Sequence, residues 1–438
     1  ADAAFIDLVR YVTGHAGAGA PVHPDKREES YVAFVLTRGR VERVELGEAG
    51  PVEAAVEEWH RAIAAGQPSP AAAELRRRVW EPIARALPPE AATLYLAGDN
   101  TLAFLPWGAI PGDGGAGVLL ERYAFAQVPN GRFLLARLRE PAAEPPGGAL
   151  LAVGAVAYGG PAAGDRRGEA GPGRGWGELP GTRRELDVLR RLGAGGLTVL
   201  DGPQAGTDRL LTELPRARLA HLATHGFFEL EAYQAEARRL SQELRSHRPE
   251  PGRPAQFAVA SHHPLSFAGL VLAGAGNPAA AGPDGGLLSA ETVVGLPLEK
   301  LQLAVLSACQ TGQGVVADGQ CVLSLARAFH AAGCRNVVAS LWKVDDDATA
   351  ALMALFYDKL LGEKKPPLEA LREAQLTLYR NPRLVAPLAS TPDLAGRLRG
   401  SPFAKTVPLP AEAPKPAPPN DRAPTRLWAG FVLGGLGQ

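Results

Sequence analysis

Two residues in this sequence stand in matching settings. Cys309 closes the stretch "LAVLSAC", where an apolar run gives way to the polar "QTGQG". His225 follows the apolar run "RLAHLA" and is itself followed by Gly226. Each run has the length and composition of a short strand buried on both faces. In open α/β sheets, ligands bind beyond the carboxyl ends of the strands. Two neighbouring strands ending in this way would bring a thiol and an imidazole to one edge. The thiolate is the nucleophilic form of cysteine, and a nearby imidazole generates it near neutral pH and later protonates a leaving amine. Gly226 has no Cβ, so a substrate backbone can approach it closely. The N–H groups of Gly226 and Cys309 would make an oxyanion hole, in which one donor is worth roughly 3–4 kcal/mol of barrier. Nucleophile, base and oxyanion donors together are the parts needed for acyl transfer.

The spacing leaves other readings open. A free cysteine at a strand end also serves as a small core residue, and a histidine after an apolar strand also serves a structural role. Cys321, His330 and Cys334 lie on or after the helical stretch "CVLSLARAFHAAGC" and read as structural. A metal centre drawing on His221, His225, Cys309, His262 and His263 matches no zinc spacing and has no carboxylates clustered with it. The Gly-rich stretches fit neither a phosphate-binding loop nor a dinucleotide fingerprint. No metal or cofactor is expected.

The elements that must position these residues follow from the rest of the chain. It has 438 residues, of which 46% are hydrophobic, enough for two domains or one large one. Lys plus Arg and Asp plus Glu both number 46, so the chain lacks the basic excess of a general nucleic-acid binder. The three cysteines form no CxxC pair, which points to a reducing cytoplasm rather than a disulfide framework. No apolar run reaches the ~20 residues of a membrane span. The opening "ADAAFIDLVRYV" lacks a basic n-region and a cleavage site, so no signal peptide is expected, and the missing initiator Met reads as a fragment or a processed product. No internal repeat is visible.

Residues 31–46 read as a β-hairpin, and 52–65 and 71–87 as helices. Residues 92–110 read as a strand, a turn at Gly98-Asp99-Asn100 and a second short strand. The Pro/Gly-rich stretch 139–148 reads as a boundary between an N-terminal half, 1–145, and a second domain, 146–438. Beyond it the pattern alternates. Strands are expected at 148–156, 197–200, 218–223, 303–308, 336–341 and 427–435, and helices over "TRRELDVLRRL", 207–214, 321–332 and 346–361. Fully apolar short strands separated by amphipathic helices predict an α/β fold with a mostly parallel sheet covered on both faces. The charged segment 229–262 reads as an insertion, and the Pro-rich segment 401–425 as extended or disordered.

At these residues the sequence resembles the CHAT domain family. "HLATHGFFE" followed by "LAVLSACQTGQG" carries the likeness, and "DNTLAFLPWGAIP", "LPGTRRELDVL", "HPLSFAGLVLAGAG", "LARAFHAAGCRNVVASLWKVDDDATAALMALFYDKLL" and "LWAGFVLGG" extend it over roughly residues 30–435. The resemblance implies a caspase-like cysteine endopeptidase of the clan of caspases, separases and gingipains. It assigns His225 as the catalytic histidine, Cys309 as the nucleophile and Gly226 to the oxyanion hole. It also implies that the first half is a non-catalytic, pseudo-protease-like partner of the second.

Two departures qualify the resemblance. The segment 229–262 is longer than the usual link after His-Gly, and no tetratricopeptide repeats precede the domain. Asp284, Asp345, Asp346 and Trp342 are candidates for a specificity pocket, although Asp345, Asp346 and Asp347 equally suit the N-terminus of the helix that follows. The expected partners are a protein substrate, with gasdermin-like pore formers in bacterial defence or regulated death as one class, and an activating partner. Direct nucleic-acid or membrane binding is not expected. The rival reading is a pseudo-protease whose cleft only holds a peptide or protein. Self-cleavage is expected in the Arg-bearing loops 159–182 or 229–262.

Overall fold

The computed structural model describes residues 2–14, 27–115, 117–141, 148–159, 176–192, 196–228, 235, 264–277, 285–307, 309–310, 325–390 and 422–438. Strand β1 (Ala3–Gly14) pairs antiparallel with β2 (Arg27–Thr37), and β2 with β3 (Arg40–Glu48). Gly39, at φ 78°, makes the tight turn between β2 and β3. Ala4, Ile6 and Leu8 are buried at every second position of β1, as the period of a strand requires. Its other edge pairs parallel with β4 (Thr93–Ala97), and β4 pairs parallel with β5 (Ala124–Gln127).

The helix Ala49–Ala65 buries Val52, Val56, Trp59 and Ile63, the stripe expected of an amphipathic helix. It ends at Gly66, which takes the left-handed conformation that closes many helices. The helical stretch expected over 71–87 is present over 71–86, with a π-turn at Arg76–Trp80.

The second short strand expected within 92–110 is not formed. The chain there makes 3₁₀ turns at Asn100–Phe104 and Trp107–Ala109. Leu102, Phe104, Leu105, Trp107 and Ile110 are all buried, a spacing that no single strand face can satisfy, and Pro106 offers no N–H to a ladder.

From residue 150 the alternation holds. Strands β6 (Leu150–Val156), β7 (Leu197–Gly202), β8 (Leu219–Leu222), β12 (Leu303–Leu306) and β14 (Asn336–Ser340) run parallel, and β15 (Phe431–Gly435) lies antiparallel to β14. The far edge of β15 pairs parallel with β5. One eleven-stranded sheet results, in the order β3-β2-β1-β4-β5-β15-β14-β12-β8-β6-β7. Strands from 1–145 and from 146–438 therefore share a sheet, and β15 is the strand between them. A second sheet has the order β11-β10-β9-β13, built from β9 (His225–Phe228), β10 (Ala268–Val271), β11 (Leu287–Ser289) and β13 (Cys309–Gln310).

The central strands are buried on both faces because helices cover both. Leu303 and Val305 of β12 join a core with Leu186 and Leu189 of the helix Pro180–Leu192 and Leu352 and Phe356 of the helix Asp346–Tyr357. Ala304 and Leu306 face the opposite core, with Leu210 of the helix Thr207–Glu213 and Phe329 of the helix over 325–331. A one-residue slip of β12 would exchange these two sets, so its register is strongly specified. This is the α/β class, mostly parallel and covered on both faces, that the sequence predicts. Among the described residues, no helix is long and apolar enough to cross a membrane. The segment 229–262, apart from residue 235, and residues 401–421 of the Pro-rich segment lie outside the described residues.

Candidate active site

Strands β8 and β12 are parallel neighbours, with Leu219 opposite Leu303 and Leu222 opposite Leu306. Beyond their carboxyl ends both chains pass into the second sheet, β8 continuing as β9 and β12 as β13. There they pair in parallel again, with His225 opposite Cys309 and Gly226 opposite Gln310. His225 lies six residues past Leu219, and Cys309 six past Leu303, so the register survives the passage between sheets. Adjacent strands lie about 4.8 Å apart, which brings the backbones of the two candidates side by side.

Thr224 pins the crossing on the histidine strand. It is buried, its hydroxyl donates to the Val271 carbonyl of β10, and it stands 3.0 Å from the Tyr158 hydroxyl. Gly226 sits opposite Leu270 on one side and Gln310 on the other.

The imidazole of His225 is 8% exposed. Its ring packs on Tyr158, at 5.0 Å, and on Trp176, at 5.3 Å between ring centroids. Nε2 is 2.8 Å from the carbonyl oxygen of Gly177. A carbonyl only accepts, so Nε2 carries the hydrogen and Nδ1 holds the lone pair. Nδ1 is buried and has no partner among the described residues. Burial holds the imidazole below the usual histidine range, the Gly177 contact offsets part of that, and the charge of Lys343 lowers it further. The ring is thus held toward its neutral form with a defined tautomer.

Sequence reasoning missed Tyr158, Trp176 and Gly177. An aromatic residue within the Gly-rich "GRGWGELPG" was the available signal.

The specificity candidates separate. The Asp345 carboxylate accepts from the backbone N–H groups of Asp347 and Ala348, so it caps the helix Asp346–Tyr357. Asp346 lies in the first turn of that helix, and the Asp347 carboxylate pairs with Arg184 at 2.5 Å. Trp342, two residues beyond β14, is half-buried and stands edge-on to His60 at 6.0 Å, with its indole N–H lacking a partner among the described residues. Asp284 lies outside the described residues, as does Cys321. Cys334 is fully buried beside the Asn336 carbonyl, and burial pushes its thiol up to about 12, so it stays protonated and inert. His221 is bound up in the core with Glu185 and Tyr357. Among the described residues, no group of three or more His, Cys, Asp or Glu side chains is arranged to hold a metal ion.

The sheet is mostly parallel and covered on both faces, and His225 and Cys309 stand in register beyond two adjacent central strands, which is an α/β architecture with a candidate cysteine–histidine pair at its carboxyl edge. The chain belongs to the CHAT domain family, whose model matches residues 69–436. The tetratricopeptide repeat protein 28 of Homo sapiens is 29% identical over 196 residues, 43% of this chain and 7% of that protein. Its Mus musculus counterpart is 29% identical over 197 residues, with the same coverage. The chain thus spans under a tenth of the length of these curated relatives. Among solved structures, the Saccharomyces cerevisiae separase–securin complex matches 83% of this chain and 17% of the solved chain, at 10% identity and a TM-score of 0.39. The Arg-specific cysteine proteinase gingipain R matches 88% of this chain and 74% of the solved chain, at 10% identity and a TM-score of 0.36.

Proposed function

We propose that this chain is a cysteine endopeptidase in which Cys309 is the nucleophile and His225 the base. Nδ1 of His225 takes the thiol proton, and the thiolate attacks the scissile carbonyl carbon. The N–H groups of Gly226 and Cys309 receive the oxyanion. The protonated imidazole then passes its proton to the leaving amine, giving a thioester, and water activated by the same imidazole releases the acid and the free thiol. The observation that carries this reading is the His225–Cys309 register pairing next to a histidine whose other nitrogen is already committed to Gly177. The substrate is a protein or peptide chain. Trp342 is proposed as a wall of its pocket, and Asp284 and Asp346 remain candidates for selecting a basic side chain.

The test is cleavage of a peptide library by the wild type, Cys309→Ala and His225→Ala. Each variant is expected to fold and to lose at least about 10³-fold in rate, since members of a nucleophile–base unit act together. Undiminished cleavage by Cys309→Ala would refute the mechanism. A thiol-reactive peptide separates this reading from the binding-module rival, because Cys309 should label well ahead of Cys321 and Cys334. Equal, slow labelling of all three would favour the rival.

A further inference from the structure

A polar cluster is set into the apolar core at the level where the two candidate strands leave the main sheet. Glu185, His221, Ser307 and Tyr357 are 3%, 0%, 5% and 1% exposed. They come from four places: the helix Pro180–Leu192, β8, the residue after β12, and the helix Asp346–Tyr357. The Ser307 hydroxyl donates to Glu185 Oε2 at 2.8 Å. His221 Nε2 stands 3.2 Å from the same oxygen, close to it but off the hydrogen-bond line. His221 Nδ1 is 2.9 Å from the Tyr357 hydroxyl. Burial, with the Glu185 charge beside it, pushes the Tyr357 phenol far above its usual range, so it keeps its proton and donates to Nδ1. The Nε2 hydrogen then lies on the carboxylate side of the ring.

Such a cluster is an expensive way to fill a core. Buried carboxylates are rare unless paired, and apolar groups of similar volume often leave a protein at least as stable. Its placement supplies a reason for it. His221 is four residues before His225, and Ser307 two before Cys309. One oxygen of Glu185 therefore meets both strands immediately before they deliver the pair. Apolar packing fixes which face each residue takes, while this contact fixes how far one strand stands along the other.

We infer that Glu185 is a positioning residue that locks β8 against β12 and so sets the spacing of His225 and Cys309. His221, Ser307 and Tyr357 hold its carboxylate in place. The inference rests on the Cys309–His225 reading.

The experiment is iodoacetamide alkylation of the full chain as a function of pH, for wild type, Ser307→Ala, Glu185→Gln and Tyr357→Phe. Cys309→Ala supplies the background from the other two cysteines. The wild type should show a fast phase that persists well below the pH where a free thiol ionises, near ~8.5. In folded Ser307→Ala and Glu185→Gln that phase should slow about tenfold or more at neutral pH, because small misplacements of reacting groups cost on that scale. Tyr357→Phe should give a smaller loss in the same direction, and Ser307→Thr should restore part of what Ser307→Ala loses. Variants that fold and label within twofold of wild type would overturn the inference and make the cluster merely structural. A Ser307→Ala chain that does not fold would overturn it too, because the cluster would then be a requirement of folding. A wild type without a fast phase would strike the catalytic reading itself, a distinguishable failure.

Discussion

The Gly177 carbonyl and the His225 Nε2, 2.8 Å apart, decide which nitrogen of the histidine is basic. With the Nε2 hydrogen held by a carbonyl, protonation falls on Nδ1, in a buried site where the charged ring is disfavoured. The acid limb of activity should therefore lie below the ordinary histidine value of about 6.5. Lys343→Gln removes a charge that lowers this group, so it should move the limb upward. The pH dependence of kcat/KM for both proteins measures this, and a limb that stayed in place would mean that Lys343 does not act on the imidazole.

Trp176 and Tyr158 both pack against the imidazole of His225. Trp176→Ala should leave the ring free to tilt, lowering kcat about tenfold while KM changes little, since misoriented reacting groups slow chemistry more than binding. Steady-state kinetics separate the two effects.

Asp345 caps a helix through two backbone N–H groups. Asp345→Ala should cost about 1 kcal/mol in urea unfolding, and Asp345→Asn, an equally good cap, close to nothing. Because the carboxylate is occupied in this way, Asp345→Asn should leave the order of preferred peptides unchanged in the library assay. A changed preference would return Asp345 to the substrate pocket.

His330 gives an acid-stability signature. Its Nδ1 donates to the Cys334 carbonyl, and burial pushes the group down to about 4. Well above pH 7 it is neutral in both the folded and unfolded chain and contributes nothing to the pH slope. As pH falls through about 6.5 the unfolded chain binds the proton first, so stability declines until about pH 4, by about 3 kcal/mol in all. His225 and His60, both lowered by burial, act in the same direction. Urea unfolding at several pH values should show the decline, and His330→Gln should flatten it.

The second half of the chain was legible because its signals are local. A strand buried on both faces is an unbroken apolar run, so β6, β8, β12 and β14 fell within a residue or two of their expected places. Two blocks of matching length also pointed to His225 and Cys309 before any pairing was known. What could not be read depended on partners far along the chain. β1 was read for what it lacked as a leader, and nothing in "AAFIDLVRYVTG" says that it pairs with both β2 and β4. The small second sheet was invisible because β13 is two residues long and gains its neighbour only through the register of β12. Trp176 and Gly177 lay in a Gly-rich loop without periodicity, and their role depends on a histidine 48 residues away. The misread strand within 92–110 failed for a related reason, since a row of apolar residues there serves a tight turn instead of a ladder.

The strand between β5 and β14 is the last of the eleven to be synthesised. Its pairings join Leu433 to Ala126 and Gly435 to Asn336, so each closes a long loop of chain. While the nascent polypeptide is still emerging, the leading half and the trailing half have no common sheet, and β5 and β14 each present an open edge. Assembly of the whole must wait for translation of residues 431–435, which leaves an interval in which those two edges are exposed to other chains and to chaperones.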